Sequence, residues 1–368
     1  MNKRYILLFF LVLFISSCGS DATYRIEGKL TNLEDQLVYI VYEGDGDKLI
    51  DSVACSKPGR FTAELNREGF HTATLYFNER KTYVVVYLEP NQKVSINGDI
   101  HYPTLLQIKG GRINEQLNSF RKSISSLLKE QSDLTEALNS RSEVSSGDTN
   151  FSARLINVNH QIEEAVLAYI CDNPNEEAAV VLMEQYYMIP DDTYKVDEML
   201  ALLDPHLNDF YLVKELQEFN ERAKRTMLGV EAPDFSVKNL YGELVSLDSL
   251  HSDYRLVAFT APWSDMCQVD VLYLDKVATK YKKEQLEILL ISLDDNPAEV
   301  REMMKKDSIQ WNLVTDSANQ TAMLLDLYNI SALPRCFLLN EEGDIILKTD
   351  NGEELKQALE NLIDGEET

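Results

Sequence analysis

Residues Phe259–Asp270 read FTAPWSDMCQVD, and the reading of this stretch decides the fold of the C-terminal third of the chain. It joins an apolar run, YRLVAFTAPW, to a segment with helical character over Met266–Tyr281. The apolar run lacks polar alternation, as expected of a strand buried on both faces. Beyond the helix, LEILLISLD predicts a second buried strand, and Pro297–Lys306 a further helix. IQWNLVTD, PRCFLLN and DIILKTD supply later strands, VEAPDFSVKNLYGELVSLDSL a leading hairpin, and Gly352–Ile363 a terminal helix. Strands that alternate with helices in this way predict a central sheet with parallel strands, covered by helices.

Four ordered features then give a resemblance: G-V-E-A-P-D-F, the strand into A-P-W-S-D-M-C, ILLISLD, and ISALPRCFLLNEEGDII. Over about Gly229–Ile363 the chain resembles a thioredoxin-like module of the membrane-anchored thiol–disulfide oxidoreductase class, within the peroxiredoxin-related superfamily. The resemblance implies a cis-proline facing the active site, at Leu333-Pro334. It also implies a nucleophilic cysteine at a helix N-terminus, where the helix dipole lowers the thiol pKa, followed by a second, resolving cysteine.

The sequence departs from that pattern: Ser264 stands in the first position and Cys267 in the second. A serine hydroxyl forms no disulfide, so a dithiol cycle within S-D-M-C is excluded. Ala258 occupies a position at which many thioredoxins carry a buried acid. Three uses of Cys267 remain open. It pairs with Cys336, which lies two residues after Pro334 and therefore on the same strand face. Or Ser264-x-x-Cys267 acts like the T-x-x-C of peroxiredoxins, with Arg335 as the cation that depresses the thiol pKa and a sulfenic acid as product. Or Cys267 does no chemistry, and Trp263, Asp265, Met266 and the Pro334 face hold an extended peptide. Asp265, near Cys267, opposes thiolate formation.

The middle of the chain, 111–228, is helical in pattern. Leu117, Phe120, Ile124, Leu127, Gln131, Leu134 and Leu138 recur at steps of three and four, predicting one long amphipathic helix. The polar run Asn139–Phe151 breaks it, and Leu155, Val158, Ile162, Ala165 and Tyr169 continue the rhythm in a second helix. An antiparallel hairpin follows, whose seam is also a candidate homodimer surface. Shorter helices are expected through Met188 and over Val196–Lys224.

Before it, 18–110 reads as an antiparallel β sandwich or barrel. YRIEGKL, QLVYIVYE, KLIDSVACS, GRFTAEL, TATLYF and YVVVYLE alternate apolar and polar residues between turn signals. The acidic EGDGD turn lacks the downstream Glu of an EF-hand loop and reads as a solvated hairpin. The opening Y-x-I-x-G-x-L, D-S-V-A-C-S-K-P-G-R-F and L-E-P-N-Q-K-V resemble a domain of unknown function that precedes thioredoxin modules in envelope lipoproteins.

Residues 1–17 carry Lys3 and Arg4, an apolar run over Tyr5–Ile15, and small residues before Cys18. The run is short for a membrane span and fits a signal peptide. Small residues followed by cysteine resemble a lipobox, which implies lipidation at Cys18 and an envelope location, on the periplasmic face or the cell surface. Expected partners are envelope proteins or peptides and, through the lipid, a membrane. The net charge of −26 argues against nucleic acid, which requires a basic footprint. The other cysteines are scattered, without metal-ligand spacing, so no metal and no cofactor is expected. Cys55 and Cys171 read as buried small residues.

Overall fold

The computed structural model describes residues 23–44, 46–139, 148–188, 193–261, 280–281, 285–293, 312–315 and 320–365. The chain divides into two compact units, Met1–Ala179 and Val180–Thr368.

The first unit opens with eight strands in two four-stranded sheets. One has the order β4-β1-β7-β8 and the other β3-β2-β5-β6. The strands are β1 (Thr23–Thr31), β2 (Leu37–Gly44), β3 (Asp47–Ala54), β4 (Arg60–Asn66), β5 (Phe70–Phe77), β6 (Thr82–Tyr87), β7 (Lys93–Asp99) and β8 (Gln107–Lys109). Their period-two patterning places Ile26, Val38, Ile40, Leu75, Val86 and Ile96 in one core between the sheets. Gly28 belongs to this packing: a Cβ there would lie 2.0 Å from the Phe61 ring, which covers it from β4. One pairing differs from the antiparallel expectation, because β1 and β7 run parallel. Alternation reports which face of a strand is buried and carries nothing about the direction of its neighbour.

The amphipathic pattern after Gly110 forms two helices, α1 (Arg112–Ser123) and α2 (Ser125–Asn139), instead of one. The Ser123 hydroxyl donates to the Phe120 carbonyl at 2.7 Å, and Ile124 leaves helical geometry at φ −109°, ψ 19°. A hydroxyl bonding back onto its own helix competes with the backbone ladder at that point. Helix α3 (Asp148–Asp172) returns antiparallel. Gln131 bonds Asn159 at 2.8 Å, and the Phe120 and Tyr169 rings meet at 5.0 Å. Leu128, Leu134, Val158 and Ile162 are buried, so the seam is used within the chain.

Helix α1 also closes the end of the sandwich. Asn114 accepts from Tyr87 N–H at 3.0 Å and donates to the Tyr87 carbonyl at 2.7 Å, standing in for a neighbouring strand beside β6. One turn later, Asn118 accepts from Ile108 N–H at 3.1 Å and donates to the Ile108 carbonyl, doing the same for β8.

After α4 (Glu177–Tyr187), the second unit contains α5 (Thr193–Leu202), α6 (Tyr211–Lys224), a short hairpin of β9 (Ser236–Lys238) and β10 (Leu244–Ser246), and a five-stranded sheet. The sheet order is β13-β12-β11-β14-β15. Strands β11 (Tyr254–Thr260), β12 (Leu286–Ser292) and β13 (Asn312–Thr315) are parallel, while β14 (Arg335–Leu339) and β15 (Ile345–Thr349) pair antiparallel. Helices α7 (Thr321–Leu327) and α8 (Gly352–Leu359) follow the expected α/β alternation. The helices expected over 266–281 and 297–306 lie almost wholly outside the described residues.

Candidate functional site

Every residue of β12 is buried, and so is every residue of β11 except its first. Residues of one parity, Leu256, Ala258, Leu290 and Leu338, form one core. Those of the other parity, Val257, Phe259, Leu289 and Phe337, form a second with Phe235 and Tyr328. The aromatic cluster is held by its one phenol: Tyr328 Oη donates to the Pro233 carbonyl at 2.8 Å, and burial pushes its pKa far above the ordinary value.

The site lies where β11 ends and β14 begins. The Leu333–Pro334 peptide is cis, as the resemblance implied. From there β14 runs back beside β11, with Arg335 opposite Phe259 and Cys336 opposite Ala258. Cys336 is buried and shares its face with Ala258, so a thiol is the lateral neighbour of the position from which the acid is missing. Pro334, also buried, has the same parity as Cys336. Arg335 has the opposite parity, that of Phe337 and Leu339, and is half-buried.

On the same face as Ala258 stands a row of hydroxyls, which the sequence reading did not single out. Thr260 and Ser292 are Cα partners at the carboxyl ends of β11 and β12, and Ser292 partners Thr315 on β13. All three are buried, and among the described residues the Thr260 and Ser292 hydroxyls have no hydrogen-bond partner. Small polar residues closing three apolar strands were the available signal. The carboxyl ends of parallel strands are where open α/β sheets place their chemistry.

At the amino end of β11, Arg255 is a structural charge. It donates to the carbonyls of Asn340 and Glu341 at 2.9 and 2.7 Å, tying β11 to the β14–β15 turn.

The remaining sequence expectations divide clearly. Trp263, Ser264, Asp265, Met266 and Cys267 lie outside the described residues, as does Cys18. Cys171 is exposed, not buried. It follows Ile170 at the end of the α3 seam and therefore turns off the packed face. Cys55 is half-buried, and its thiol pKa is raised by burial and then by the Asp35 charge. Among the described residues no cluster of His, Cys, Asp or Glu is placed to hold a metal ion.

Comparison with known proteins places this geometry. Residues 228–348 match the AhpC/TSA family. The C-terminal region is a thioredoxin-like domain of that family. Residues 24–117 match DUF4369, a domain of unknown function. The thiol-disulfide oxidoreductase ResA of Bacillus cereus (strain ZK / E33L) is 25% identical over 147 residues, which is 40% of this chain and 83% of that protein. A thiol:disulfide interchange protein from Bacteroides sp. is 26% identical, covering 38% of this chain and 93% of its own, with a TM-score of 0.35. A thioredoxin-like protein from Bacteroides caccae covers 57% of this chain and 82% of its own at 20% identity, with a TM-score of 0.44. By the match to ResA, the domain is homologous to thiol–disulfide oxidoreductases. Among the described residues no helix is long and apolar enough to cross a membrane.

Proposed function

We propose that the chain is a cell-envelope lipoprotein, anchored through Cys18, whose thioredoxin-like domain carries out thiol–disulfide exchange with Cys267 as the attacking thiol and Cys336 as the resolving partner. The observation that supports this reading is the placement of Cys336. It sits on the cis-proline strand, buried beside Ala258, on the face that the family turns toward its active-site thiols. The Cys267 thiolate attacks a substrate disulfide and expels one substrate sulfur as thiolate, forming a mixed disulfide. The Cys336 thiolate then attacks the Cys267 sulfur and releases the second substrate sulfur. The substrate gains two electrons, and the protein is left with a Cys267–Cys336 disulfide. Ser264 takes no part in electron transfer. Trp263 and Pro334 frame the substrate chain, which comes from an envelope protein or peptide.

A second reading is favoured by one feature of the sheet. With Ala258 in place of an acid, the β11 position opposite Cys336 carries no proton acceptor. The cis-proline face then holds an extended peptide without chemistry.

The deciding measurement is pH-dependent alkylation of Cys267, compared with Cys267→Ser, together with mass spectrometry of the non-reduced protein. A thiol pKa clearly below the unperturbed value of ~8.5, with a Cys267–Cys336 peptide pair, supports exchange chemistry. A slow thiol of raised pKa, with no such pair, assigns the binding reading. Consumption of hydrogen peroxide that survives Cys336→Ala assigns a thiol peroxidase that uses Cys267, with Arg335 as its cation.

A further inference from the structure

The two outward faces of the N-terminal sandwich differ in chemistry. On the β4-β1-β7-β8 sheet, Arg25, Glu27, Glu64 and Lys93 form an exposed ion-pair network, including Lys93–Glu27 at 2.6 Å and Arg25–Glu27 at 2.9 Å. Such a face is satisfied by itself and by water. On the other sheet the outward residues include three tyrosines. Tyr39 on β2 is the Cα partner of Tyr76 on β5, which is the partner of Tyr83 on β6. Three aromatic side chains therefore stand in one row across three adjacent strands, about 10 Å from first to last at the usual strand spacing. The Tyr76 and Tyr83 rings are 6.1 Å apart, and Tyr83 is 62% exposed.

A cleft of about 520 Å³ opens at the Tyr39–Tyr76 end of this row, with Tyr83 beyond its rim, lined by Asp35, Gln36, Leu37, Tyr39, Tyr76, Glu79 and Arg80. Its far wall is the β5–β6 turn, where three consecutive non-glycine residues, Asn78, Glu79 and Arg80, have φ of 51°, 56° and 72°. Left-handed backbone at such residues is uncommon and costs conformational energy. The turn is fastened by Asn78 N–H donating to the Asp35 carboxylate, and it sets the Arg80 guanidinium 4.6 Å from the Tyr39 ring centroid.

We propose that this face binds a neutral saccharide chain, stacked on Tyr76 and Tyr83 and held at its hydroxyls by Asp35, Gln36, Glu79 and Arg80. The charges select the ligand. Two carboxylates in the wall repel phosphate, acidic sugars and anionic lipid headgroups. Arg80 already occupies the cation position over Tyr39, so a cationic side chain would have to displace it. A pyranose ring fits both halves of the site. Its C–H face packs on an aromatic ring, and each hydroxyl both donates and accepts. The wall requires that dual capacity, because carboxylates accept, a guanidinium donates and the Gln36 amide does both.

The test is calorimetric titration of the full-length protein with maltotetraose, cellotetraose, mannotetraose and chitotetraose. Binding of at least one, with Kd on the order of 0.1–1 mM for so open a site, is expected. Tyr83→Ala and Tyr76→Leu each weaken it by about tenfold or more, while Tyr194→Ala, an exposed tyrosine in the other unit, leaves it unchanged. Should Tyr76→Leu lower the melting temperature, the decision rests on Tyr83→Ala, which removes a largely solvated ring. The proposal is overturned if none of the four sugars binds at concentrations up to about 10 mM, tenfold above the weakest expected Kd. It is equally overturned if binding survives both substitutions, or if a proline-rich decapeptide binds the tyrosines in place of the sugars.

Discussion

The sandwich strands β1 and β4 and the C-terminal strands β11 and β12 are all β structure, yet they bury themselves in opposite ways. β1 and β4 alternate, with one face packed and one in water. β11 and β12 are buried on both faces. The difference locates function. A sheet covered on both sides can present chemistry only at its strand ends, where Thr260, Ser292 and Pro334 lie. A sheet open on one side can present a surface, and one of the two sandwich sheets presents tyrosines. Burial thus separates a site for reaction from a face for recognition within one chain.

That contrast can be broken most forcefully at the centre of β12. Leu290→Ala, at a fully buried position, is expected to cost about 3–5 kcal/mol. Both tryptophans, Trp263 and Trp311, fall in the C-terminal unit, so their emission during urea unfolding follows that unit alone. A midpoint unchanged from wild type would mean that β12 is not enclosed on both sides.

A smaller loss, about 2–3 kcal/mol, is expected for Asn114→Ala, because it removes both hydrogen bonds that the side chain makes to the buried Tyr87 backbone. Hydrogen exchange should show the loss at the Tyr87 amide first, with β11 and β12 unaffected. Tyr328→Phe removes a single buried hydrogen bond and should cost about 1 kcal/mol by tryptophan emission.

Alkaline pH gives a graded version of the comparison. Burial, and then the charge of Asp51, push the Tyr42 phenol in the sandwich up to about 12. The folded-state pKa is raised, so the stabilisation is complete below the ordinary phenol value of ~10. It is lost as pH rises from there through the folded value. Urea midpoints followed by circular dichroism should fall between about pH 9 and pH 11.5, and Tyr42→Phe should flatten part of that fall. The smallest effect belongs to the open face. Ile50→Ala, at a residue 70% exposed, should change stability by less than about 0.5 kcal/mol, and a larger change would mean that something covers this face.

Much of this was legible in the sequence. Period-two alternation located β1 to β6, uninterrupted apolar runs located β11 and β12, and parity alone put Pro334 and Cys336 on one face and Arg335 on the other. What pattern could not supply was neighbourhood. Nothing in the residues of β1 and β7 states that they pair, or in which direction. The alignment of Tyr39, Tyr76 and Tyr83 depends on register, which the β2–β5 connection and the β5–β6 turn determine. The helix break at Ile124 falls beside a serine hydroxyl bonded back onto α1, inside a seam whose periodicity continues through it. Cys171 was misjudged because cysteine is usually buried, whereas its place on α3 turns it outward.

The two asparagines of α1 have a consequence for assembly. A sandwich ordinarily exposes four terminal strands, each a template for annealing to another chain. Here Asn114 and Asn118 occupy the backbone groups of Tyr87 and Ile108, so β6 and β8 are partly blocked against strand addition. The other terminal strands, β3 and β4, are studded with Asp47, Lys48, Asp51, Arg60 and Glu64, charges that a growing β stack would have to bury. One helix and a handful of charges therefore oppose polymerisation through the sandwich edges while leaving its broad tyrosine face open.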